Sequence, residues 1–183
     1  MSKKVKIIIG ICILVILGVI GREIYLQFNV SIVSHSIDYI VMAMDGAIYR
    51  SDLIVLAEAS SDTKVKSVRE KQENGKWLKS GYEETKFKIH EVYLGDKTIQ
   101  NIVCRDNNSS EKIEFKKGEQ AILFLRYDSR DNAYYFVGGL QGKCVYDSEK
   151  GKYVSRTLEF EDIEKEIERY NNTPEEERQI KGR

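Results

Sequence analysis

Two histidines, three cysteines and one glycine-rich stretch ending in a lysine are the residues of this 183-residue chain whose types and spacing suit site chemistry. The stretch is "YYFVGGLQGKCVYD", residues 134–147. A phosphate-binding loop needs four residues between its first glycine and a Gly-Lys pair, then a serine or threonine, then a helix. Here three residues separate Gly138 from Gly142, Lys143 is followed by Cys144, and both flanks read as strands. Spacing, metal-binding hydroxyl and context all fail. What remains is backbone geometry. Gly138, Gly139 and Gly142 are expected to be structural glycines that permit positive φ or close approach at a barrel corner or bulge.

His35 and His90 have no cysteine or histidine at ligand spacing, so no metal site is expected. No Gly-x-Ser-x-Gly elbow marks a nucleophile, and no cysteine sits in a motif context. With 29 acidic residues in the chain, adjacent carboxylates carry no information. A non-catalytic protein without a cofactor is the expectation. Cys12 lies inside an apolar run, which leaves Cys104 and Cys144 as the remaining pair. They are a disulfide candidate in an oxidising compartment, closing a loop of about 40 residues for about 4 kcal/mol. The alternative is two small buried apolar side chains.

The elements that must position these residues begin with an unusual N-terminus. "MSKK" and Lys6 precede an unbroken apolar run from Ile7 to Ile20. Fourteen helical residues span about 21 Å, short of a hydrocarbon core of about 30 Å. Ile24, Leu26 and Phe28 extend the apolar pattern, with Tyr25 as an interfacial aromatic and Arg22 able to snorkel. Val19, Ile20 and Gly21 form a poor cleavage site. Residues 1–28 are therefore expected to be an uncleaved signal anchor, one transmembrane helix with its N-terminus inside and the following domain outside the cell. Secretion after cleavage is the alternative.

Residues 29–50 read as a connector and a short helix, with Ile40, Met44, Ala47 and Ile48 at helical spacing and Ser36 or Asp38 as a cap. Residues 51–158 read as about five strands. Leu53–Leu56 form a strand buried on both faces, and residues 60–80 a strand edge with a long hairpin loop. Thr85, Phe87 and Ile89 alternate cleanly, but the phase slips before Val92 and Leu94, which a β-bulge at His90–Glu91 would explain. Thr98–Cys104, the run from Gln120 and "AYYFVGG" follow. Residues 159–183 read as a charged amphipathic helix and tail, with Phe160, Ile163, Ile167 and Tyr170 on one stripe, a Glu161–Lys165 pair and a "TPEE" capping box. The fold class is thus mainly β with flanking helices, and the strand count suits a closed five-stranded barrel.

The order "SDLIVLAEAS", "KFKIHEVYLGD", "FKKGEQAILFLR", "YYFVGGLQGKCVY" resembles the N-terminal inhibitory domain of tissue inhibitors of metalloproteinases, and more closely bacterial extracytoplasmic proteins that share its pattern. The resemblance covers roughly residues 45–147. It implies an antiparallel barrel of the oligonucleotide/oligosaccharide-binding (OB) type. The animal inhibitors chelate the protease zinc through an amino-terminal Cys-x-Cys, which this chain lacks, so only the scaffold carries over.

Residues 29–183 hold 25 basic and 28 acidic residues, which argues against nucleic acid as a partner. The expected function is a membrane-anchored extracytoplasmic module that binds a protein or peptide through barrel loops or an open strand edge. Trp77, Tyr82, Tyr134 and Tyr135 are the candidate binding surface. The alternatives are a cell-surface inhibitor or immunity-type protein acting on a secreted protease or toxin, and a surface enzyme. For the enzyme, His90 inside a polar pocket would be the sign.

Overall fold

The computed structural model describes residues 30–32, 41–71, 75, 77–107 and 112–180. The expected transmembrane helix over 1–28, with Cys12, lies outside the described residues, as do His35 and the proposed caps Ser36 and Asp38. Among the described residues no helix is long and apolar enough to cross a membrane.

The chain divides into two compact units. The smaller holds residues Met1–Val33 and Ser67–Ser80. In it, β1 (Val30–Ile32) runs parallel to the start of β4 (Trp77–Leu94), with Val30 opposite Trp77 and Ile32 opposite Lys79. β3 (Lys64–Lys71) also pairs with β4, so the stretch over 60–80, expected as a strand edge with a long hairpin loop, holds strand at 64–71 and again from Trp77.

The larger unit holds Ser34–Lys66 and Gly81–Arg183. Its centre is a closed ring of five strands: β2 (Leu53–Ala59), β4, β5 (Asn101–Asp106), β7 (Ala133–Phe136) and β6 (Gln120–Asp128), which pairs back onto β2. Four of the five junctions are antiparallel. The β5–β7 junction is parallel, which corrects the expectation of a wholly antiparallel barrel.

Two strands explain why the ring closes around a core. Side chains alternate across a strand, so a run that is apolar at every position must be covered on both faces. Residues 53–57 of β2 and 121–125 of β6 are such runs. Leu53, Val55, Ala57 and Ala59 join Ala121, Leu123 and Leu125 in an inner cluster with Phe87, Ile102 and Phe115. Ile54, Ile122 and Phe124 point the other way, into an outer cluster. Phe87 and Phe115 meet edge to face at 4.8 Å inside the ring, a preferred arrangement for aromatic pairs.

The β2–β4 register slips twice, between Ile54 and Val55 and between Leu56 and Ala57. The second slip passes over His90, where the phase of the sequence breaks. The first passes over Tyr93 and had no signal in the apolar pattern.

The outer cluster is covered by helices. α1 (Met44–Arg50) brings Ala47 and Ile48, and begins later than its apolar stripe suggests. β8 (Lys143–Asp147), β9 (Lys152–Val154) and β10 (Glu159–Phe160) form an antiparallel ribbon, so residues 159–160 are strand rather than the start of the terminal helix. α2 (Ile163–Asn172) follows, capped by the Asp162 carboxylate, which accepts from the N–H groups of Glu164 and Lys165. Phe160 and Ile163 are buried, with Ile167 and Tyr170 packed beside them. Lys165 pairs with Asp162 at 3.6 Å, the partner one turn back, in place of Glu161. The "TPEE" segment forms a 3-10 turn over Glu175–Glu177 with no side-chain cap; the Thr173 hydroxyl donates instead to Arg169 O.

Candidate functional site

The glycine-rich stretch is where the ring is closed off. β7 ends at Phe136, and Gly139–Gly142 make one 3-10 turn before β8. Gly138 and Gly139 have φ of 66° and 63°. At Gly142 the crowding is steric: a Cβ would lie 2.7 Å from Val137 O and 2.9 Å from Phe124 O. Gln141 sits inside the turn, 2% exposed. Its Oε1 accepts from Met42 N at 2.9 Å and from the Thr157 hydroxyl at 2.8 Å. This polar pin had no motif to announce it. Lys143 is likewise committed. Its Nζ lies 2.8 Å from Glu119, donates to Glu114 O at 2.7 Å and sits 3.7 Å above the Phe115 ring. It is a structural cation rather than a solvated neighbour of the glycines.

Cys104 and Cys144 are both free thiols and buried in different clusters, Cys104 inside the ring and Cys144 outside it. The disulfide expectation gives way to that of two small buried side chains. Burial pushes the Cys104 thiol well up and the Cys144 thiol up to about 12, so neither supplies a thiolate at neutral pH. Among the described residues no group of three or more histidines, cysteines and acids stands where it could hold a metal ion. His90 is partly exposed, with Nε2 3.2 Å from Glu58.

The candidate aromatic surface separates into three places. Trp77 is half-buried and belongs to the smaller unit. Tyr82 lies under the Arg105 guanidinium, 4.7 Å from ring centre to Cζ, and Tyr135 stands opposite Arg105 in register. Arg105 donates to Glu84 at 3.3 Å, and Lys66 reaches the same carboxylate at 2.5 Å. Burial pushes the Glu84 carboxyl up, but Lys66 and Arg105 outweigh it and hold it below the usual range. Tyr135 donates to Asp131, and burial together with that bond raises its hydroxyl to about 12. This patch is internally satisfied.

Tyr134 is elsewhere. Its ring lies 5.2 Å from that of Tyr127, which is exposed and donates to Asn132 Oδ1 at 2.8 Å. Asn132 has φ of 47°, the left-handed turn conformation that asparagine tolerates better than most residues. Together with Ile99, Asn101 and Val103 these residues line an open cavity of about 590 Å³. Ser60, Lys86 and the ring-core residues Phe87 and Ile102 complete its lining. His90 is not among its walls. Tyr127, Asn132, Asn101 and Lys86 were missed by sequence reasoning. The signal for the first two was the end of an apolar strand at a polar turn, "RYDSRDN". Asn101 and Lys86 gave none.

The cavity opens at the weakest junction of the ring. β4 and β5 share six register pairs, whereas β5 and β7 share two, Cys104–Tyr134 and Arg105–Tyr135. No family model matches the chain, and no curated protein matches it. The reading of function therefore rests on this geometry and on the sequence.

Proposed function

We propose that this chain is a non-catalytic, membrane-anchored extracytoplasmic module that binds a protein or peptide at the β5–β7 seam. The observation that carries the reading is the open cavity lined by Tyr127, Tyr134, Ile99 and Val103 together with Asn101 and Asn132. Apolar walls with a few fixed polar groups are what recognition sites require. The anchor and outside location are supported by the basic start and apolar run of residues 1–28. The order β2-β4-β5-β7-β6, with its parallel β5–β7 pair, supports an OB-like scaffold and the likeness to the inhibitor domain. Fold alone does not assign the partner.

The test is panning of a random-peptide display library against the full chain and against its Tyr134→Ala variant. Saturable enrichment on the parent that the variant loses is expected. Equal enrichment on both would move the site away from the seam, and none on either would end the binding-module reading.

A further inference from the structure

A strand edge has a direction of hydrogen bonding, and that direction can be worked out for β5. Ile89 N–H donates to Gln100 O at 2.8 Å. Lys88 and Asn101 stand opposite each other in the next register position. In an antiparallel ladder this makes Lys88–Asn101 a non-hydrogen-bonded pair, with Phe87–Ile102 the hydrogen-bonded pair beside it. The N–H and C=O of Asn101, and the N–H of Val103 two residues on, therefore turn away from β4 and stay open, whereas the Val103 C=O accepts from Tyr134 N–H in the parallel pair. They turn toward the side on which the register with β7 begins only at Cys104. Asn101, Ile102 and Val103 are also consecutive walls of the cavity. Backbone donors and acceptors thus face a space that already holds an aromatic pair.

The space has one charged group in its wall. That group, Lys86, is exposed and makes no ion pair among the described residues. Lys86 stands opposite Val103 and Tyr134 opposite Cys104, so the ammonium and the aromatic pair lie toward the same end of the edge.

Resting on the binding-module reading, the geometry points to one occupant: an extended peptide that adds as a short strand along Asn101–Val103, sets an aromatic or aliphatic side chain beside Tyr127 and Tyr134, and carries a carboxylate beside Lys86. Strand addition takes its affinity from main-chain bonds and its specificity from alternate side chains. Lys86 supplies the complementary charge. Only every second residue of an added strand turns its N–H and C=O to the edge. The mode therefore leaves an alternating signature.

The experiment uses the full chain and a fluorescein-labelled hexapeptide of alternating valine and tyrosine with glutamate at one end. Single backbone N-methyl groups are placed at each position in turn, and a lysine replaces the glutamate in a second series. The expected result is saturable binding, weakened roughly tenfold or more by N-methylation at one alternating set and little affected at the other. Lys86→Glu should weaken the glutamate peptide and favour the lysine peptide, with the circular dichroism of the variant unchanged. Uniform sensitivity to N-methylation, or indifference to Lys86→Glu, overturns strand addition while leaving the module reading in place. If neither this peptide nor any library peptide binds saturably, both readings fall.

Discussion

The β2–β6 wall and the β5–β7 seam belong to one ring, yet they are built on opposite terms. Along the wall, six consecutive register pairs from Leu53–Leu125 to Glu58–Gln120 join two strands that are apolar on both faces. The inner cluster lies on one side and α1, α2 and the β8–β10 ribbon cover the other. At the seam, two register pairs hold strands of mixed character, and the gap is lined rather than filled. Ring closure asks for continuity, but not for equal strength at each junction. The wall carries the stability, which leaves the seam free to hold a cavity. Binding loops and movable elements are drawn from such low-stability regions.

The comparison can be broken most severely at the wall. Phe124 is fully buried and packs edge to face on Phe160 at 6.2 Å. Phe124→Ala should cost about 3–5 kcal/mol in urea unfolding, and a loss below 1 kcal/mol would mean the wall is not the main support. Gly142→Ala should come next, at about 2–3 kcal/mol, because the new methyl meets two backbone oxygens that cannot turn aside. Gln141→Ala strips partners from Met42 N and Thr157 and should cost about 2 kcal/mol. Thermal denaturation of the three variants side by side would rank them.

A smaller effect concerns the cover over the wall. Asp45 on α1 is buried, yet its carboxyl is held below the usual range: burial pushes it up, and the Gln179 N–H and the Arg169 guanidinium outweigh that. A depressed folded value gives stabilisation that is complete above the unfolded value of about 4 and is lost as pH falls through the folded one. Asp45→Asn should therefore flatten the acid limb of a stability–pH curve while changing little of its shape above pH 6. Glu83 carries the opposite sign. Burial and the charge of Glu114 raise its carboxyl against the pull of Lys112 and the Ile113 N–H, so its share of stability is lost as pH rises through its folded value.

The smallest expected effect on folding is at the seam. Tyr127→Ala removes an exposed ring and should change stability by less than about 1 kcal/mol, while reducing peptide binding as Tyr134→Ala does. Hydrogen exchange sharpens the contrast without mutation. Amides of Val55 and Leu123 should exchange only with global unfolding, and those of Asn101 and Val103 far sooner.

What the sequence revealed follows the same division. The wall was legible because unbroken aliphatic runs such as Leu53–Leu56 have few ways to be satisfied, and the His90 slip was legible because it disturbs a period of two. The seam was not, since it depends on where β5 and β7 stop pairing, which is set by the ring and leaves no trace in residue type. Tyr134 and Tyr135 are neighbours in sequence, but alternation sends one to the cavity and the other to the Arg105 patch. Cys104 and Cys144 looked like partners by number; two different faces of the sheet keep them apart. Gln141 reads as any polar loop residue until the turn closes around it.

That glutamine also has a mechanical meaning. Met42 lies just past residue 41, where the described part of the larger unit begins, and its N–H is tied to Gln141 Oε1. Gln141 is tied in turn to Thr157, just ahead of β10 and α2. A pull applied at residue 41 reaches this three-way knot before it reaches β2. The knot spreads the load between the glycine turn and the C-terminal cover. Under tension, the first bond to yield would be a side-chain clasp, and the barrel behind it would keep its shape.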